Sequence, residues 1–134
     1  MPITDLIAKN ADLVRSIASR ELGVITNYNL EGVRWLDGFI NNQHLVASED
    51  LKERLVQTLG SFLGECIRNT YGGEWVNESG SWEIRFSQGN SAFPFNKVSK
   101  QLNNGAEDSV LGMFRAIPAL FFTQKFEGLP GGTP

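Results

Sequence analysis

A chain of 134 residues with 12 Lys and Arg against 15 Asp and Glu carries a net charge of −3, and 41% of it is hydrophobic, 10% aromatic and 20% charged. Those proportions exclude disorder, collagen and coiled coil, and at this length a fold hides on the order of 70% of its extended-chain surface, enough to need neither disulfide nor structural metal. The acidic balance and the lack of a basic stripe argue against nucleic acid and anionic membrane as partners, since no row of cations is there to displace counterions from phosphates.

From Ile3 to Arg20, apolar residues at Ile3, Leu6, Ile7, Leu13, Val14, Ile17 and Ala18 follow the 3.6-residue period of an amphipathic helix, with Thr4 or Asp5 to cap it and Gly23 beyond its end. A second helix is predicted after Asn29, with Leu30, Val33, Leu36, Phe39 and Ile40 on one side and Trp35 at its edge. Gly32 and Gly38 cost it about 1 kcal/mol each relative to alanine, so packing has to supply its stability.

The clearest helix runs from Ser48 to Tyr71. Ser48 is a good N-cap, Glu49 and Asp50 put negative charge at the positive end of the helix dipole, and Gly72-Gly73 stops it. Leu51, Leu55, Leu59, Phe62, Leu63, Cys66 and Ile67 share a broad apolar face, with Glu53, Gln57, Ser61 and Arg68 opposite. Gly60 and Gly64 lie one turn apart beside that face, where missing side chains let another segment come close to the backbone.

After the double glycine the period becomes two. Trp75 leads a short run to Asn77, a turn follows over residues 78–81, and Trp82, Ile84 and Phe86 alternate with Glu83 and Arg85, which predicts an antiparallel hairpin with one face buried. Ala92-Phe93 reads as a third short strand, ended or pushed to an edge by Pro94. Helical spacing returns at Phe95, Val98 and Leu102, and Glu107-Asp108-Ser109 opens a last helix carrying Val110, Leu111, Phe114 and Ile117, which Pro118 is expected to kink or restart. The expectation is one α+β domain over residues 1–127: N-terminal helices, a central hairpin or three-stranded meander, C-terminal helices packed on the sheet, and a disordered tail at 128–134.

One cysteine and one histidine cannot assemble a Cys/His zinc site, so no metal and no cofactor are expected. The segment Met1-Pro2-Ile3-Thr4-Asp5 has no positive signal region and no stretch of about 18 apolar residues occurs, which points to a cytoplasmic protein. His44, in a polar stretch read as a loop, lacks a serine or cysteine set opposite it to make a nucleophile and base pair. Cys66 falls at the centre of an apolar face, with Arg68 about 160° away, and reads as a packing residue. Glu83 is read as pointing outward with Arg85, and with Glu74 and Glu78 it makes no inward carboxylate pair.

Two groups of residues remain as candidate sites. Glu65, at the margin of the apolar face, would be desolvated unless paired, and with Arg68, Trp75 and Lys97 it forms a candidate ligand-binding set between the Ser48 helix and the hairpin. Nine of the fourteen aromatics fall between Trp75 and Phe126, and Phe121, Phe122 and Phe126, beyond Pro118 in a charge-poor segment, are the candidate partner-binding set.

The stretches Leu59-Gly60-Ser61-Phe62-Leu63-Gly64-Glu65, Gly72-Gly73-Glu74-Trp75, Pro94-Phe95-Asn96-Lys97-Val98 and Asn104-Gly105-Ala106-Glu107-Asp108-Ser109 resemble those of small bacterial domains of unknown function. The resemblance implies a bacterial or phage origin and transfers no catalytic residue. The residues themselves favour a small non-enzymatic protein acting through protein contacts, an immunity-type inhibitor or an adaptor, with a protein partner or self-association. The alternative is a small hydrolase or ligand-binding domain with its pocket around Glu65 and Arg68.

Overall fold

In the computed structural model, which describes residues 3–122 except Ser79 and Gln88, three helices and the central strand lie against one long helix. That helix, α3 (Glu49–Tyr71), follows α1 (Ile3–Leu22) and α2 (Leu30–Val46). Ser48 caps it, its Oγ accepting the Leu51 N–H at 3.1 Å, and Gly72 ends it in a left-handed conformation at φ +84° that suits glycine.

Residues 59–64 of α3 are all buried. At 100° per residue, six such positions in succession mean that neighbours close round the whole circumference of the helix there. Ser61, which the period places on the polar side, is therefore inside, and its hydroxyl donates to the Gln57 carbonyl at 2.7 Å. The two helical glycines explain how the circle closes. A side chain on Gly60 would run into the Phe95 ring and one on Gly64 into the Trp75 indole, so α4 and the first strand sit directly on the α3 backbone, as the spacing predicts.

The strands β1 (Glu74–Val76), β2 (Glu83–Arg85) and β3 (Ser91–Ala92) form an antiparallel meander in that order, with Trp75 opposite Ile84 and Ile84 opposite Ala92. Strand β2 departs from a one-sided strand. Ile84 is buried, and so is Glu83, whose carboxylate accepts hydrogen bonds from Ser91 Oγ and from Arg85 Nη2 at 3.3 Å. The expectation of a solvated, outward Glu83 is corrected: a cross-strand serine and the neighbouring arginine compensate a carboxylate that alternation alone would put in water.

Phe93 leaves the sheet to lead α4 (Pro94–Asn104), where Pro94 occupies the first turn and its missing N–H costs no helical hydrogen bond. A short 3-10 turn, Gly105–Asp108, precedes α5 (Val110–Phe121), which starts three residues later than expected and runs on through Pro118 without restarting. Its N-terminal amides are taken up by side chains from distant elements. Asp37 Oδ1 of α2 accepts from Ser109 Oγ at 2.6 Å, Gln101 Nε2 at 3.1 Å and Leu111 N at 3.3 Å, while Gln101 Oε1 accepts from Val110 N at 2.8 Å. Gln101 is fully buried, and this network ties α2, α4 and α5 together.

The connection from α1 to α2 is held by Arg15. Its Nε donates to the Thr26 carbonyl at 2.9 Å, its Nη2 to Asn27 Oδ1 at 3.1 Å, and the guanidinium lies 5.1 Å from the Tyr28 ring centre. The described residues form an α+β fold with helices on a small antiparallel sheet. The expected tail, 128–134, lies outside them.

Candidate functional site

The structure brings three of the four candidate ligand-binding residues together. Glu65 Oε2 accepts from Arg68 Nη1 at 3.0 Å and from Trp75 Nε1 at 2.9 Å, and the Glu65 side chain is 16% exposed. Arg68 also donates from Nε to the Gly73 carbonyl at 3.4 Å. One carboxylate oxygen thus ties the end of α3 to the start of β1. With Tyr28 and Asn69, Glu65 and Arg68 line a small polar cleft. Lys97 lines a different cleft, beside Phe93, Asn96, Lys100 and Phe121, and its Nζ is 3.5 Å from Asp108 Oδ1. Asn104 Nδ2, donating at 2.7 Å, and then Lys97 hold the Asp108 carboxyl below the usual aspartate value.

Two of the three aromatic residues of the second set, Phe121 and Phe122, pack on their own chain. Phe121 and Phe122 stand 5.7 and 5.5 Å from the Phe86 ring, Phe122 also meets Tyr71, and Asn90 Nδ2 donates to the Phe121 carbonyl at 3.1 Å. Both are half-buried against the core, and Phe126 lies outside the described residues. His44 is in the last turns of α2, not in a loop. Its Nδ1 is 2.8 Å from the Leu102 carbonyl, which can only accept, so the proton sits on Nδ1. Cys66 is completely buried, and loss of solvation raises its pKa to about 12. Among the described residues no group of three or more His, Cys, Asp or Glu is arranged to hold a metal ion.

The largest surprise is α1. Its apolar residues form two seams, not one face. Ile7, Ala11, Val14 and Ala18 are buried, whereas Ile3, Leu6, Leu13 and Ile17 are 53%, 48%, 43% and 42% exposed. Leu13 and Ile17 continue into a groove shared with Leu22 of α1, Trp35 and Phe39 of α2, and Leu55, Thr58 and Leu59 of α3. Thr58 Oγ1 turns back to the Leu55 carbonyl, so the lining presents almost nothing but carbon. The signal for this groove was present in the sequence as a surplus: α1 carries more aliphatic residues than one packing face takes up.

At about 90 Å3 the groove is well below the roughly 300–1,000 Å3 of small-molecule pockets. Comparison of the chain with models of known families, with curated proteins and with solved structures gave no match. No helix among the described residues is long and apolar enough to cross a membrane.

Proposed function

We propose that this chain is a non-catalytic protein of adaptor or inhibitor type that works by docking another polypeptide on the groove between α1, α2 and α3. The observation that carries the reading is the pairing of a carbon-lined groove with an exposed aliphatic seam on the adjoining helix. Apolar surface of that kind is what interaction sites expose. The polar groups first suspected of chemistry have internal uses instead, Glu65 with Arg68 and Trp75, Lys97 with Asp108, and His44 with Leu102. A buried, unpaired thiol suits a reducing compartment such as the cytoplasm.

The test is affinity capture with the wild-type chain and with a Phe39→Asp, Leu55→Asp variant shown by circular dichroism to be folded. A polypeptide retained by the wild type and lost by the variant supports the reading. A retained set that does not change between the two overturns it.

A further inference from the structure

We infer that the cleft between β3, α4 and α5 is a binding site for a small organic carboxylate with an apolar body. The cleft holds about 340 Å3, inside the roughly 300–1,000 Å3 of small-molecule sites. It shares no residue with the docking groove, so the inference stands or falls apart from the function proposed above. Phe93, Met113 and Phe121 give it apolar walls, and Lys97 and Lys100 bring two ammonium groups to it from one side of α4. Phe93 is 39% exposed there, a ring left partly uncovered where the chain turns from sheet to helix.

Charge selects the ligand. The chain as a whole is acidic, at −3, yet this cleft is lined by cations. Asp108 stands near both lysines: its Oδ1 lies 3.5 Å from Lys97 Nζ, and Lys100 joins Asn104 and Lys97 in holding its carboxyl low. Its other oxygen takes the Asn104 amide at 2.7 Å, and Lys100 makes no ion pair among the described residues. One carboxylate between two ammonium groups leaves a positive charge unanswered beside apolar walls, and a cleft focuses such a field on whatever enters it. An organic carboxylate answers the charge and covers the walls at once. An inorganic anion would leave the rings bare, and a neutral ligand would leave Lys100 unpaired. Another cleft of small-molecule size, beside Gly73, Glu74 and Val76, differs in this respect, because its cation, Arg85, is already shared by Glu78 and Glu83.

The experiment is a titration of the full chain followed by amide chemical shifts in NMR, with three probes: phenylacetate, phenylacetamide, which keeps the ring without the charge, and acetate, which keeps the charge without the ring. Phenylacetate is expected to bind with a Kd of about 1 mM and to move the amides of Phe93, Lys97, Lys100 and Met113, while the other two probes bind about tenfold more weakly or not at all. Lys97→Gln and Lys100→Gln should each weaken phenylacetate about two- to fivefold, the worth of one exposed ion pair, and the double variant about tenfold. Asp108→Asn, which frees Lys97, should tighten it by about twofold. No shift up to about 10 mM phenylacetate, shifts centred on other residues, equal binding of phenylacetamide, or a double lysine variant that binds as the wild type does overturns the inference. Silence in the full chain with binding in a chain ending at Phe122 would assign the cleft to residues 123–134, and shifts of the same amides on raising protein concentration alone would assign it to a second copy; each of these also overturns it.

Discussion

Trp75 occupies the space that a side chain on Gly64 would need, and its indole N–H donates to the carboxylate of Glu65, the next residue of α3. The glycine lets the ring lie on the helix backbone, and the glutamate gives the buried edge of the ring its hydrogen-bond acceptor. Neither does the other's work, so the two substitutions should differ in kind. Gly64→Ala should lose about 1–3 kcal/mol of stability by overpacking and shift the tryptophan emission to the red as the indole is lifted toward water, which urea titration followed by fluorescence will measure. Gly60→Ala, against Phe95, should lose a similar amount with little change in emission.

Glu65→Ala leaves the Trp75 N–H without an acceptor and should cost about 1–3 kcal/mol, whereas Glu65→Gln keeps an oxygen for the indole and should cost less than half as much. Equal losses in chemical denaturation would show that the ion pair with Arg68, not the indole bond, is what matters here.

Asp37→Ala removes one acceptor from three donors, Gln101 of α4 and Ser109 and Leu111 at the start of α5, and should destabilise the protein by roughly 2–3 kcal/mol, with the amides of Leu111 and Gly112 losing hydrogen-exchange protection first. Protection that falls evenly across all five helices would count against a local role.

Cys66 predicts an alkaline limb. Its pKa in the fold, about 12, is above the ordinary thiol value, so below that ordinary value both folded and unfolded chains hold the proton and stability is unaffected. As pH rises from about 9 toward 12 the unfolded chain ionises while the fold resists, and stability falls. Cys66→Ala should flatten this limb in part, leaving the share of Tyr28 and Tyr71, whose pKa values burial also raises. At pH 8 a thiol reagent should label the native chain far more slowly than the unfolded chain, so equal labelling rates with and without denaturant are the contrary result.

Periodicity made the helices legible because α1, α2 and α3 each bury a stripe of aliphatic residues, with glycines at 23 and 72 to stop α1 and α3; α2 carries no such signal and runs on to Val46 through the polar stretch that reads as a loop. It also anticipated the close approach at Gly60 and Gly64. What it missed has one physical origin: a wheel or an alternation describes an element facing a single neighbour. Ser61 and Glu83 were assigned to water by their position in the pattern, yet both sit where a second neighbour covers the nominal outside. Gln101 was passed over because a polar residue beside Val98 and Leu102 gives no sign that Asp37 and the α5 amides are waiting for it. The error on α1 ran the other way, since seven apolar residues looked like one broad buried face and turned out to be a buried seam beside an exposed one. Of the candidate sites, Glu65, Arg68 and Trp75 were near enough in sequence for a helical turn and a tight connection to unite them. Lys97 was not, and nothing in the order of residues shows which flank of α4 it takes.

The enclosure of α3 over residues 59–64 bears on how the chain reaches its native state. Its covering elements come from both sides of it in the sequence, so the middle of the longest helix has no complete environment until segments as far apart as Val14, which lines a groove with Leu59, and Phe95, which lies on Gly60, have arrived. A chain released from the ribosome as far as Tyr71 would hold this helix with its glycine side bare. The strands and α4 complete its cover, and the slowest-exchanging amides among the described residues should be those at the centre of α3.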